Sequence, residues 1–139
     1  MPVYFHSEHI DFHLEAKDKY ENWIVHRVEK EKRTLKDLNF IFTTNEYLLD
    51  INRKYLNHNY YTDVITFDYT ESGAIAGDIY ISIDQVRLNA RDYDVEFKQE
   101  LSRVIIHGVL HLLGFNDQSA EEKRRMRTME DEALEGFEI

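Results

Sequence analysis

The chain has 139 residues, 42% of them hydrophobic, with 9 Tyr, 8 Phe and one Trp. That is enough for one domain with a proper core and too little for two. It carries 17 Lys and Arg against 27 Asp and Glu, a formal net charge of −10, so it lacks the basic footprint of a free-standing nucleic-acid binder. No run reaches the ~18–20 apolar residues of a membrane span, and the absence of cysteine excludes disulfides.

The first residues, Met1-Pro2-Val3-Tyr4-Phe5-His6, lack the basic-then-apolar pattern of a secretory leader. The expectation is a cytoplasmic protein that meets no membrane, with residues 1–139 forming one domain. Residues 3–6 suggest a short first strand. Over 16–32, Tyr20, Trp23, Ile24 and Val28 recur at helical spacing among charged residues, which predicts an amphipathic helix with one buried stripe. Residues 38–43 are aromatic and β-branched and predict a buried strand.

Thr44 or Asn45 can cap a second helix on which Leu48, Ile51 and Tyr55 share a face. Residues 57–60 have a loop composition. Residues 64–68 and 76–83 read as strands around a turn at 70–73, a pairing that suggests a hairpin. Asp84 can cap a short helix carrying Val86, Ala90 and Tyr93.

Asp94 precedes a long helix with Phe97, Leu101, Val104, Ile105, Gly108 and Leu112 on one side. Beyond Val104 its other side is apolar too, through Ile106, Val109, Leu110 and Leu113, so this is expected to be the central, buried helix. Ser119 and Glu122 form a capping box for a last helix, with Met126, Met129 and Ala133 facing inward. The order predicts an α+β fold, a small mixed four-stranded sheet packed against about five helices.

The end of the central helix carries the chemistry. In His107-Gly108-Val109-Leu110-His111-Leu112-Leu113-Gly114-Phe115-Asn116-Asp117, the two histidines lie four apart and project from one face. Gly114 can take the left-handed conformation that ends a helix and turns the chain back. Asp117 can then join His107 and His111 as a third ligand, leaving a fourth position for water, as in catalytic zinc sites. Histidines inside an apolar helix are costly unless satisfied, and a metal would satisfy them. The plainer alternative is a pair of packed core or surface histidines. The spacing is also that of the metzincin motif H-E-x-x-H-x-x-G-x-x-H. Here, however, Gly108 stands at the general-base glutamate and Asp117 at the third histidine. Two basic clusters, Arg53-Lys54 and Lys123-Arg124-Arg125 with Arg127, can meet phosphates or simply be solvated helix faces.

Three stretches together resemble the YbeY family of metal-dependent endoribonucleases. They are His107-Gly-x-Leu-His111-Leu-x-Gly114, then Asn52-x-x-Tyr55 leading to Thr62-Asp63-Val64-Ile65-Thr66-Phe67, and Gly77-Asp78-Ile79. The resemblance spans residues 40–120 in order and spacing. It implies an α+β fold and one zinc ion per chain held by three side chains. It also implies single-strand RNA cleavage in ribosomal RNA maturation, at the small-subunit 3′ end, and in ribosome quality control. Its implied partners are a ribosomal RNA precursor and ribosome-associated proteins. His107 and His111 carry over as ligands. Asp117 stands at the family's third histidine, Asn116 at its Asp, and Leu56 at a basic Arg, a phosphate-contacting role that Arg53 or Lys54 could take.

On this reading a three-ligand zinc acidifies water and polarises a phosphoryl oxygen, with Asp63 and Asp78 as candidate helpers or as structural carboxylates that hold turns. Two rival expectations are a zinc peptidase, against which Gly108 counts, and a non-catalytic RNA- or ribosome-binding module with a structural metal.

Overall fold

Strands and helices alternate through most of the chain: β1 (Val3–Ser7), α1 (Lys17–Lys30), β2 (Thr34–Thr43), α2 (Asn45–Leu56), β3 (Val64–Asp68), β4 (Ala74–Ser82), α3 (Ile83–Asp92), α4 (Phe97–Leu112) and α5 (Ala120–Leu134). This is a computed structural model, and it describes residues 2–138. The sheet order is β1-β2-β4-β3. β1 and β4 both run parallel to β2, while β3 is antiparallel to β4. A parallel pair needs a crossover between its strands, and α1 supplies it between β1 and β2. The short β3–β4 connection instead closes the expected hairpin. The result is the expected α+β fold with a mixed four-stranded sheet and five helices.

Alternation along the strands assigns the two faces of the sheet. Leu38, Phe40 and Phe42 of β2 and Ile75, Ile79 and Ile81 of β4 join Tyr20, Ile24 and Val28 of α1 and the apolar residues of α4 in the main core. On the other face, Leu48 and Ile51 of α2 pack with Ile65, Phe67 and Tyr80. α4 is central as expected. It packs against β3 and β4, α1, α3 and α5, and Leu101, Ile105, Ile106, Val109 and Leu110 are buried around its circumference. No helix among the described residues is long and apolar enough to cross a membrane.

Two glycines let α4 lie close on the sheet. A Cβ at Gly77 would come within 2.5 Å of the Phe67 carbonyl and 3.0 Å of Leu112, and one at Gly108 within 2.9 Å of Ile79.

Several boundaries differ from the sequence expectation. β2 begins at Thr34 rather than 38, because its first half pairs with β4 through a bulge at Leu35/Asp37 while leaving Thr34, Lys36 and Asp37 exposed. α3 is capped by Ser82, which accepts from the Gln85 amide at 3.1 Å. Asp84 instead accepts from the Asn45 amide at 3.0 Å, joining the start of α2. Asp94 occupies a left-handed turn (φ 55°), and Glu96 is the N-cap position of α4. Tyr93 is exposed, and Tyr55 is 69% exposed, meeting Phe67 edge-on at 6.1 Å.

Candidate metal centre

The last turn of α4 and the loop after it bring three side chains together. Gly114 adopts φ 102°. Its amide donates to the His111 carbonyl at 3.0 Å and the Phe115 amide donates to the Leu110 carbonyl at 3.1 Å, the pair of bonds that closes a helix in a Schellman motif. The chain therefore reverses within one residue and returns Asp117 beneath the histidines. His107 Nε2 and His111 Nε2 are 3.0 Å apart, and each is 3.4 Å from Asp117 Oδ2. All three side chains are partly exposed, so the group is open to solvent.

Ligand distances of about 2.0–2.2 Å put tetrahedral donor atoms about 3.3–3.6 Å apart. The two separations from Asp117 fit such a cation, and the His107–His111 pair would open by a few tenths of an ångström to hold it. The environment also fixes which ring nitrogen is free. His107 Nδ1 donates to Glu130 Oε2 at 2.6 Å, leaving Nε2 to face the other two donors, as in carboxylate–histidine–metal arrangements. Glu130 comes from α5, is only 5% exposed, and accepts from Arg103 Nη1 at 2.8 Å. Arg103 Nη2 in turn donates to Asp131 at 2.6 Å.

The charges follow from this geometry. Burial works against the protonated form of His107, but the Glu130 hydrogen bond and charge, with Asp117 and Asp63, together raise its pKa. His111 is lowered by burial and by the charge on His107.

The other sequence candidates divide between the two faces. Asp63, the residue before β3, lines one cavity with His107, Asp117, Glu100, Arg127 and Glu130. Its Oδ2 accepts from Asn89 at 3.0 Å, and burial raises its pKa against the pull of His107. Asp78 does not join them. It points to the α2 side of β4, beside Tyr47, Tyr55 and Tyr69, and accepts from Asn39 at 3.3 Å. Arg53 and Lys54 do not line the cavity either, and Arg53 is held by Asn59 at 2.6 Å. Asn52 is buried and donates to the Tyr60 carbonyl at 2.9 Å, securing the loop that delivers Asp63. Position 108 faces Ile79, so a zincin-type glutamate there would enter the sheet rather than the site.

Glu130 and Arg103 escaped the sequence reading. Arg103, His107 and His111 are a polar stripe at four-residue spacing on an otherwise apolar helix, and Glu130 interrupts the buried stripe of α5. Both were signals of a partnered polar core.

The chain matches the family described as Endoribonuclease YbeY over residues 3–138. It is 47% identical to Endoribonuclease YbeY of Flavobacterium psychrophilum over 130 residues, 94% of this chain and 93% of that one. It is 49% identical to the protein of the same name from Karelsulcia muelleri over 120 residues, 86% and 85% of the two chains. A solution structure from Thermotoga maritima superposes with a TM-score of 0.63 at 26% identity, covering 96% of this chain and 89% of that one.

Proposed function

The chain belongs to the endoribonuclease YbeY family, whose members are hydrolytic nucleases, and from that premise we propose that it cuts single-stranded RNA with one zinc ion held by His107, His111 and Asp117. The observation that carries the metal reading is the convergence of three donor atoms 3.0–3.4 Å apart, with Glu130 directing the His107 ring. A nitrogen-rich, three-ligand set favours zinc. When bound, such an ion supplies Lewis acidity towards a phosphoryl oxygen and lowers the pKa of water. The substrate is a ribosomal RNA precursor, matured at the small-subunit 3′ end or removed in ribosome quality control, in the cytoplasm and alongside ribosome-associated proteins.

The chain's own residues have distinct tasks in this mechanism. Glu130 keeps the His107 Nδ1 proton in place and so keeps Nε2 available. Asp63 sits in the cavity beside His107 with a raised pKa, which suits a carboxyl that exchanges a proton with a reacting oxygen. Asn89 holds its Oδ2.

The test is cleavage of one RNA sequence presented single-stranded and as a duplex. Internal cuts confined to the single strand, abolished by a chelator and restored by zinc, are expected. A folded, zinc-replete protein that leaves the single strand intact contradicts the reading.

A further inference from the structure

We propose that the exposed basic ridge of α5, formed by Lys123, Arg124 and Arg127, is a phosphate-binding track that leads an RNA strand into the metal centre. This rests on the ribonuclease reading above and adds where the strand runs.

The ridge reaches the site through Arg127, which lines the same cavity as His107 and Asp117. It stands three residues before Glu130, on the side of α5 that faces the centre. Lys123 lies one turn back from Arg127, and Arg124 flanks them both. All three side chains are exposed, and none has a carboxylate within ion-pairing distance among the described residues.

The neighbouring guanidinium groups are committed elsewhere. Arg103 spends both its terminal nitrogens on Glu130 and Asp131. Arg125 lies over the Phe115 ring at 5.3 Å. Of the cations at this end of α5, Arg127 is thus the one at the cavity whose fork is open to a ligand.

Electrostatics gives that opening a purpose. Asp63, Glu100, Asp117 and Glu130 line the cavity, in a molecule of net charge −10. A phosphodiester approaching such a wall is repelled unless cations offset it. A cation held by His107, His111 and Asp117 would supply Lewis acidity to the reacting phosphate, and the Arg127 guanidinium beside that site can take the next phosphate through paired N–H···O bonds. Lys123 and Arg124 then extend the cationic path along the helix, as a strand-tracking groove requires.

The experiment measures binding of a 2′-O-methyl RNA 12-mer, which resists cleavage, to the zinc-loaded protein across a salt series. Arg127→Ala should weaken binding about tenfold or more. Replacing Lys123, Arg124 and Arg127 together should lower the log Kd–log salt slope by about two. Arg127→Lys should keep the slope while losing affinity, because it keeps the charge and not the fork. Zinc content and Tm should match wild type in each variant, and Arg53→Ala with Lys54→Ala should bind as wild type does. Unchanged affinity and slope in the α5 variants, or a loss confined to the Arg53/Lys54 variant, overturns the track and leaves the ribonuclease reading standing. A zinc-replete wild type that binds no RNA at any salt removes both.

Discussion

His107 depends on Glu130 for its role, because a ligand imidazole is useful only when its donor nitrogen is bare and aimed at the ion. Glu130→Gln keeps a polar side chain but removes the charge, and Glu130→Ala removes both, leaving the largely buried Arg103 with Asp131 as its remaining partner. Loss of such a partner typically costs about 10–100-fold in metal affinity, so competition titration with a chelator should place Glu130→Ala in that range. A pH effect follows from the same contact. Zinc must displace the His107 proton, and the pKa of His107 is raised. Affinity therefore falls as pH drops through that raised value, from a higher pH than an ordinary histidine would set. Glu130→Gln should move the onset of release to lower pH, and an unmoved onset would remove the electrostatic role of Glu130. His107, His111 and Asp117 were legible in the sequence because a helix repeat and one glycine relate them. Glu130 was not, since it comes from another helix, and no local rule sets the packing of α5 on α4.

At the scale of elements, α4 approaches β4 closely at Gly77 and Gly108, on the helix that carries the histidines. Gly77→Ala would push a methyl group against the Phe67 carbonyl, and Gly108→Ala would press on the flexible Ile79 side chain. Overpacking costs about 1–3 kcal/mol, with Gly77→Ala expected at the upper end because backbone yields less than a side-chain tip. Thermal melts should rank the two in that order; equal, wild-type-like melting would show that the contact is not tight. α5 is tied down from the far side, where Trp23 Nε1 donates to the Ala133 carbonyl at 2.8 Å and stacks on Phe137 at 3.9 Å. The elements themselves were readable from periodicity, including the all-round apolar character of α4. The start of β2 was not, because Thr34–Asp37 pairs within the sheet while Thr34, Lys36 and Asp37 stay exposed and Leu35 alone packs on the core. Nor was the side of the sheet on which Asp78 lies, since a strand's alternation says which residues share a face and leaves open which face meets which helix.

For the whole molecule, the main core lies apart from the candidate metal ligands. The core of α1, α4 and the sheet is continuous and apolar, and the three candidate ligands stand at its margin. Removing the metal should therefore lower Tm only by the linkage term for a ligand bound to the native state and leave one cooperative transition. A chain that unfolds on chelation would mark the ion as a structural staple. The acidic surface and the α5 ridge act in opposite directions: a net charge of −10 repels a polyanion, while the local cations of the ridge offset that repulsion.

Elemental analysis of protein purified without added metal shows whether His107, His111 and Asp117 hold one zinc ion. One zinc per wild-type chain and none in a folded Asp117→Ala variant is the expected result. Metal-free wild type that takes up no added zinc, or full zinc retention without Asp117, would rule out this ligand set.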